Sequence, residues 1–352
     1  MTLKKYWKMI VLLIFILTIF IVGLMTYFTK PNYNYQTYLD PQVKLQQPEF
    51  YGWIAWWNEK DAFQLIDENA EIIHEISPVW FSLNDKLTLT ELGGVDKKLE
   101  ITKLKNKNVK IYPTLGSDLT GTKLSPFLND DEKIDKFVDL LSDRLVELNV
   151  DGVDIDLEVI LKDDKQGYTN FLTKMANKTK ENNLKMSVSI HAQNGKKVWE
   201  GTEGQDLEKI NNIADEIRIM TYDEHSTSSD PGPISSLKWI NSVIEYSLKK
   251  IDKEKIVLGI PSYGYIWEES GDTKGLQFKE FNKYLENKNY QLSRDPDSGE
   301  LVAKGDDFVG WLSDSKAMTS KINFMRTLGF RKFSIWHLGG MDNELFKVNW
   351  PD

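Results

Sequence analysis

Residues 151–158 read DGVDIDLE, and the alternation in that run decides how the chain around it folds. Successive side chains of an extended strand point to opposite faces. Asp154, Asp156 and Glu158 therefore share one face, and Val153, Ile155 and Leu157 share the other. The apolar face calls for a covering layer of helices, which leaves three carboxyls, neighbours about 6.6 Å apart along the strand, pointing into the interior. Like charges buried so closely keep protons on some of their number, which raises the pKa of at least one. A carboxyl so raised is what a general acid working near neutral pH requires. Two other readings fit the same letters. An acidic edge strand facing water would carry such a stripe without function, and three carboxylates can hold magnesium or manganese. The mid-chain position and the fully apolar opposite face favour a buried strand over a solvated edge.

On either side of this run, short β-branched or aromatic stretches alternate with longer ones of helical period, the pattern of βαβ units around a parallel sheet. The spacing predicts eight strands, at 51–56, 75–83, 109–115, 152–157, 185–190, 216–221, 256–261 and 332–336. Between them, 131–148 repeats Ile134, Phe137, Val138, Leu141 and Leu145 at three and four residues. Stretches 167–182, 237–249 and 315–328 behave alike. Eight such repeats predict an α/β fold, a (β/α)8 TIM barrel with its chemistry at the C-terminal strand ends. An open doubly wound sheet is the competing architecture, but no G-x-G-x-x-G or Walker pattern follows any strand, so no nucleotide cofactor is expected. Residues 268–310 are too many for an ordinary connection and are expected to form a small α+β insertion between strands 7 and 8, one wall of the cleft. Within it, Asp295-Pro296-Asp297-Ser298-Gly299 has a calcium-like spacing of acids, but Asp306 stands where an EF-hand loop needs Glu, and a hairpin turn is the better reading. His74, His191, His225 and His337 show no metal-ligand spacing, so no metal is expected.

The net charge of −9 and the pI near 5.2 argue against a polyanionic partner such as nucleic acid. With no cysteine, the chain has neither disulfides nor a thiol nucleophile. Lys4, Lys5 and Lys8 precede an uncharged run at 9–28, and about 20 helical residues match a hydrocarbon core of about 30 Å. Residues 1–30 are therefore read as a cytoplasmic tip and an uncleaved transmembrane helix, since 25–30 (MTYFTK) lacks a small-x-small cleavage site. The lysines place the rest of the chain outside the cell. Residues 31–48 read as a linker, and 49–352 as the folded domain of a single-pass membrane protein.

The 151–158 run resembles the D-G-x-D-x-D-x-E strand motif of glycoside hydrolase family 18, the chitinases and endo-β-N-acetylglucosaminidases, at every specified position. Met220-Thr221-Tyr222-Asp223 resembles the family's sixth-strand motif, residues 259–264 (GIPSYG) its seventh, and Trp336 in SIWHLGG its eighth-strand tryptophan. The wording is similar to the bacterial cell-wall and spore-germination branch. The resemblance implies hydrolysis of β-1,4 bonds in a polysaccharide containing N-acetylglucosamine, with the substrate's own acetamido oxygen attacking the anomeric carbon. It makes Glu158 the general acid, Asp156 the residue orienting the acetamido group, and Asp154 its partner through a shared proton. Tyr222 would bond the acetamido carbonyl, Met220 and Asp223 would line the subsite, and Trp336 would floor it. Read from residue type alone, Met220 and Trp336 are equally well core, and Tyr222 and Asp223 a strand-end cap. Trp53, Trp56 and Trp57 follow the first strand, either as a sugar platform or as core. Many family members have Ser-x-Gly-Gly on the third strand where this chain has Tyr112-Pro113-Thr114-Leu115-Gly116-Ser117, which implies altered substrate contacts. A silent glycan-binding module and a metal-dependent hydrolase of another barrel family are the competing functions.

Overall fold

The runs singled out by their β-branched and aromatic content become the strands of one closed parallel barrel: β1 (Glu49–Ile54), β2 (Ile73–Leu83), β3 (Thr114–Ser117), β4 (Gly152–Ile155), β5 (Lys185–His191), β6 (Glu216–Met220), β7 (Ile256–Pro261) and β8 (Lys332–Trp336). This computed structural model describes residues 45–351 apart from Asp118, Thr120, Lys197 and Val198. The expected membrane anchor at 1–30, and all but the last four residues of the expected linker at 31–48, lie outside the described residues. Among the described residues no helix is long and apolar enough to cross a membrane.

β1 closes the ring by pairing with β8, Phe50 opposite Phe333, and with β2, Gly52 opposite Ile76. The expected third strand is broken into two pieces, Lys110–Ile111 and β3, at Tyr112-Pro113, because proline has no N–H to give to the ladder. Helices α1 (Glu59–Asn69), α2 (Lys97–Lys105), α3 (Asp131–Leu148), α4 (Lys165–Glu181), α5 (Leu207–Ile213), α6 (Leu237–Ser247) and α7 (Ser315–Thr327) follow strands β1 to β7 in turn. α3 shows why these stretches are helical. Asp130 caps it by accepting from Lys133 N at 3.0 Å, Asn149 ends it at φ 56°, and the Ile134, Phe137, Val138, Leu141 and Leu145 stripe is buried.

Between β7 and β8 the chain leaves the barrel for a five-stranded antiparallel sheet, Tyr263–Glu268, Thr273–Gln277, Tyr290–Arg294, Leu301–Gly305 and Phe308–Leu312, with the helix Phe278–Leu285 on it. The sheet starts two residues after β7 and so takes in more of the chain than 268–310. Asp295 Oδ2 accepts from Ser298 N and Ser298 Oγ, both at 2.8 Å, which makes 295–299 a turn rather than a cation loop. Glu300, fully buried, pairs with Lys321 of α7 at 2.9 Å and accepts from Ile234 N and Ser235 N. One carboxylate thus ties the insertion to α7 and to the loop after β6.

The barrel interior is polar at its centre. Arg218 of β6 donates to Ser77 Oγ and Glu75 Oε1 of β2, and its guanidinium lies 5.5 Å from the Trp53 ring. Burial pushes the Glu75 carboxyl up to about 8, against the opposing pull of Arg218. The folded protein therefore retains a proton that the unfolded chain releases near pH 4.5. That contribution to stability is full below about pH 4.5 and is lost as pH rises toward about 8. Relative to Glu75→Gln, the wild type is expected to lose on the order of a few kcal/mol across this window, read from denaturant midpoints at each pH. Parallel curves for the two proteins would refute it.

Candidate active site

β4 begins where a glycine is needed, because a Cβ on Gly152 would fall 2.5 Å from Lys185 O of β5. The strand ends at Ile155, two residues before the expected end, so Asp156 and Glu158 stand on its exit. Val153, Ile155 and Leu157 are fully buried on the helix side, as the alternation requires. The three carboxyls are graded from interior to mouth: Asp154 fully buried, Asp156 part-buried, and Glu158 with 48% of its side chain exposed.

Asp154 sits among donors. Trp53 Nε1 (2.9 Å) and Thr114 Oγ1 (3.1 Å) donate to Oδ2, Ser187 Oγ (2.7 Å) and Ser189 Oγ (3.1 Å) donate to Oδ1, and Arg218 Nε lies 3.6 Å away. Asp156 has the opposite surroundings: its Oδ1 is buried without a hydrogen-bond partner among the described residues. Burial, then the charges of Glu158 and Asp154, hold its pKa well above the ordinary carboxylate range. Asp156 is thus the carboxyl whose pKa is raised, by burial first and by its neighbours' charges second. Glu158 Oε2 lies 3.1 Å from His191 Nε2 at the end of β5, off the line that a hydrogen bond needs, so the contact is one of proximity.

Met220, Tyr222 and Trp336 come together on one apolar surface with Tyr263, Tyr265 and Trp267 of the insertion. Met220 ends β6 opposite His191 in register. Tyr222 meets Tyr263 edge-on at 6.1 Å, and Trp336 meets Trp53 at 6.0 Å. Asp223, at φ 63°, turns its carboxylate to accept from Tyr263 Oη and from Tyr265 Oη at 2.9 Å. Aspartate visits this left-handed region at some cost, and burial raises its pKa. Trp53 proves to be core, while Trp56 and Trp57 are exposed, Trp57 with its ring 5.9 Å from that of His337.

A cavity of about 410 Å³ opens beside this cluster, lined by His191, Trp199, Tyr222, Asp223 and Trp239 among others. That size lies within the range of small-ligand pockets, roughly 300–1,000 Å³. The sequence reading did not find His191, Trp199 or the Tyr263-Tyr265-Trp267 row. The row's period of two was a legible signal, whereas nothing in the sequence marks His191 as facing Glu158. No cluster of His, Asp and Glu suited to a metal ion occurs among the described residues.

A family model described as "Glycosyl hydrolases family 18" matches residues 51–342. Among curated proteins, an "Uncharacterized glycosylase YvbX" of Bacillus subtilis is 25% identical over 71% of this chain and 76% of its own length. A "Cortical fragment-lytic enzyme" of Bacillus subtilis is 23% identical over 76% of this chain and 62% of its own length, so this chain spans under two thirds of that relative. Among solved structures, the spore cortex-lytic enzyme SleL of Bacillus megaterium superposes with a TM-score of 0.75 at 20% identity, over 87% of this chain and 74% of that one. A chitinase from Chromobacterium violaceum gives 0.76 at 19% identity, over 85% and 97%.

Proposed function

The chain belongs to family 18 of the glycosyl hydrolases, and from that premise we propose that it cleaves β-1,4 linkages of N-acetylglucosamine-containing glycans, with Glu158 as general acid and then base. The observation that carries this reading is the placing of a half-exposed Glu158 3.1 Å from His191, which lines the cavity, close in the chain to an Asp156 whose pKa is raised by burial and whose Oδ1 has no donor among the described residues. Glu158 gives its proton to the glycosidic oxygen as the bond from that oxygen to C1 breaks. The acetamido carbonyl oxygen attacks C1 from the opposite face, and its N–H is the donor that Asp156 Oδ1 lacks. Water then attacks C1, losing its proton to Glu158 and opening the ring intermediate with net retention. Tyr222 bonds the acetamido group and Trp336 floors the sugar, with Met220 and Asp223 shaping the same subsite. Asp154, its oxygens occupied by hydroxyl and indole donors, acts on Asp156 through its charge and position. We propose also that the protein works outside the cell, tethered through the uncharged run at 9–28 that follows Lys4, Lys5 and Lys8.

The full chain is expected to release reducing ends from chitooligosaccharides or from peptidoglycan, with a rate indifferent to a chelator. Glycan binding without any release would establish a silent binding module instead, and loss of activity to the chelator would establish metal-dependent hydrolysis.

A further inference from the structure

A second cavity, of about 480 Å³, lies alongside the first and shares Gln193 and Thr202 with it. Gln205 borders it at 4% exposure, and neither its Nε2 nor its Oε1 has a hydrogen-bond partner among the described residues. Gln193 Nε2, at the seam of the two cavities, is likewise buried and unpartnered. Native folds rarely leave a buried carboxamide unsatisfied, so the group is a sign of a ligand or of ordered water.

The surroundings distinguish the two. Lys162, Lys165 and Lys250 line the cavity with Glu203 and Asp206, three cations to two anions in the lining of a chain of net charge −9. Lys165 stands 3.9 Å from Asp206 and Lys250 3.1 Å from Glu208, whereas Lys162 has no ion-pair partner among the described residues. The loop that carries Gln205 is fixed to the segment just past Glu158, with Ile160 N donating to Gly201 O and Gly204 N donating to Ile160 O. The loop that borders the cavity is therefore joined to the chain two residues past the acid. Amide donors and a free ammonium match a carboxylate, and Gln205 Oε1 matches an N–H. A plain N-acetylglucosamine polymer offers no carboxylate.

Resting on the hydrolase reading above, we infer that this cavity is a side-group site that takes an acidic acylamino substituent, a carboxylate with an amide N–H, carried by a sugar adjacent to the one cleaved. The peptide-bearing lactyl ether of a wall glycan has that chemistry. The test compares kcat/KM on a peptide-substituted wall fragment with kcat/KM on a chitooligosaccharide of equal length, using the full chain. The ratio is expected to fall about tenfold in Lys162→Glu, a surface change that leaves the fold alone. It falls likewise in Gln205→Met, which keeps the volume and removes the polar atoms. An unchanged ratio in both variants would mean that Gln205 holds only a buried water. Calorimetry of N-acetylmuramoyl dipeptide on Glu158→Gln reads the cavity without turnover: binding that Lys162→Glu abolishes supports the site, and no binding overturns it. If the wild type cleaves neither glycan, the hydrolase reading fails while this binding still decides the cavity.

Discussion

Glu158→Gln is expected to lower kcat on N-acetylglucosamine oligosaccharides by on the order of 10²–10⁴, the usual contribution of a positioned proton donor. The substitution keeps the shape of the side chain and its place near His191, and removes only the ability to give and take a proton. With about half of the side chain in solvent, its loss costs little stability, so a lower rate reads as chemistry and not as unfolding. The nature of the leaving group sharpens the test. Aryl glycosides whose phenol departs as a stable anion need little protonation, and the variant should cleave them with a much smaller loss than it shows on sugar leaving groups. A variant that turns over oligosaccharides at near the wild-type rate would remove Glu158 from the mechanism, and an equal loss on both substrates would give it some role other than proton donor.

How far the sequence could be read depends on whether the relevant signal is periodic. α3 was legible from residue 131 to residue 148 because its apolar stripe, its Asp130 cap and its Asn149 stop all lie along one stretch of chain. The eight barrel strands were legible for the same reason, and so were the three acids as a single face. What was lost is what arises only between elements. His191 and Glu158 meet because β4 and β5 are neighbours in the sheet, and no spacing along the chain encodes that pairing. Asp223 is held by two tyrosines about forty positions away, from an insertion whose docking against the barrel has no periodic signature. The early end of β4 was missed because the alternation continues past Ile155 even though the ladder does not. The grading of the three acids follows from that ending: Asp154, still inside the ladder, is surrounded by the strands on either side, while Glu158, beyond it, reaches the cleft.

The same between-element logic makes Arg218 a sensitive position for stability. It is the guanidinium shared by two buried carboxyls, Glu75 through a direct hydrogen bond and Asp154 at 3.6 Å, and it stands over the Trp53 indole. Arg218→Met fills much of the same volume but leaves Asp154 without its cation, and removing one partner of a buried pair costs about 3–5 kcal/mol. The loss is expected as a lower denaturant midpoint with an unchanged slope. It should be smaller than the sum of the single changes when Asp154→Asn is combined with it, because the double variant buries no unpaired charge. Strict additivity would mean that the two groups do not interact across 3.6 Å. A single variant within about 1 kcal/mol of wild type would mean that the hydroxyl and indole donors alone satisfy Asp154. In that case the barrel centre would be held by hydrogen bonds rather than by charge, and the charge that Asp154 exerts on Asp156 would not depend on β6 at all.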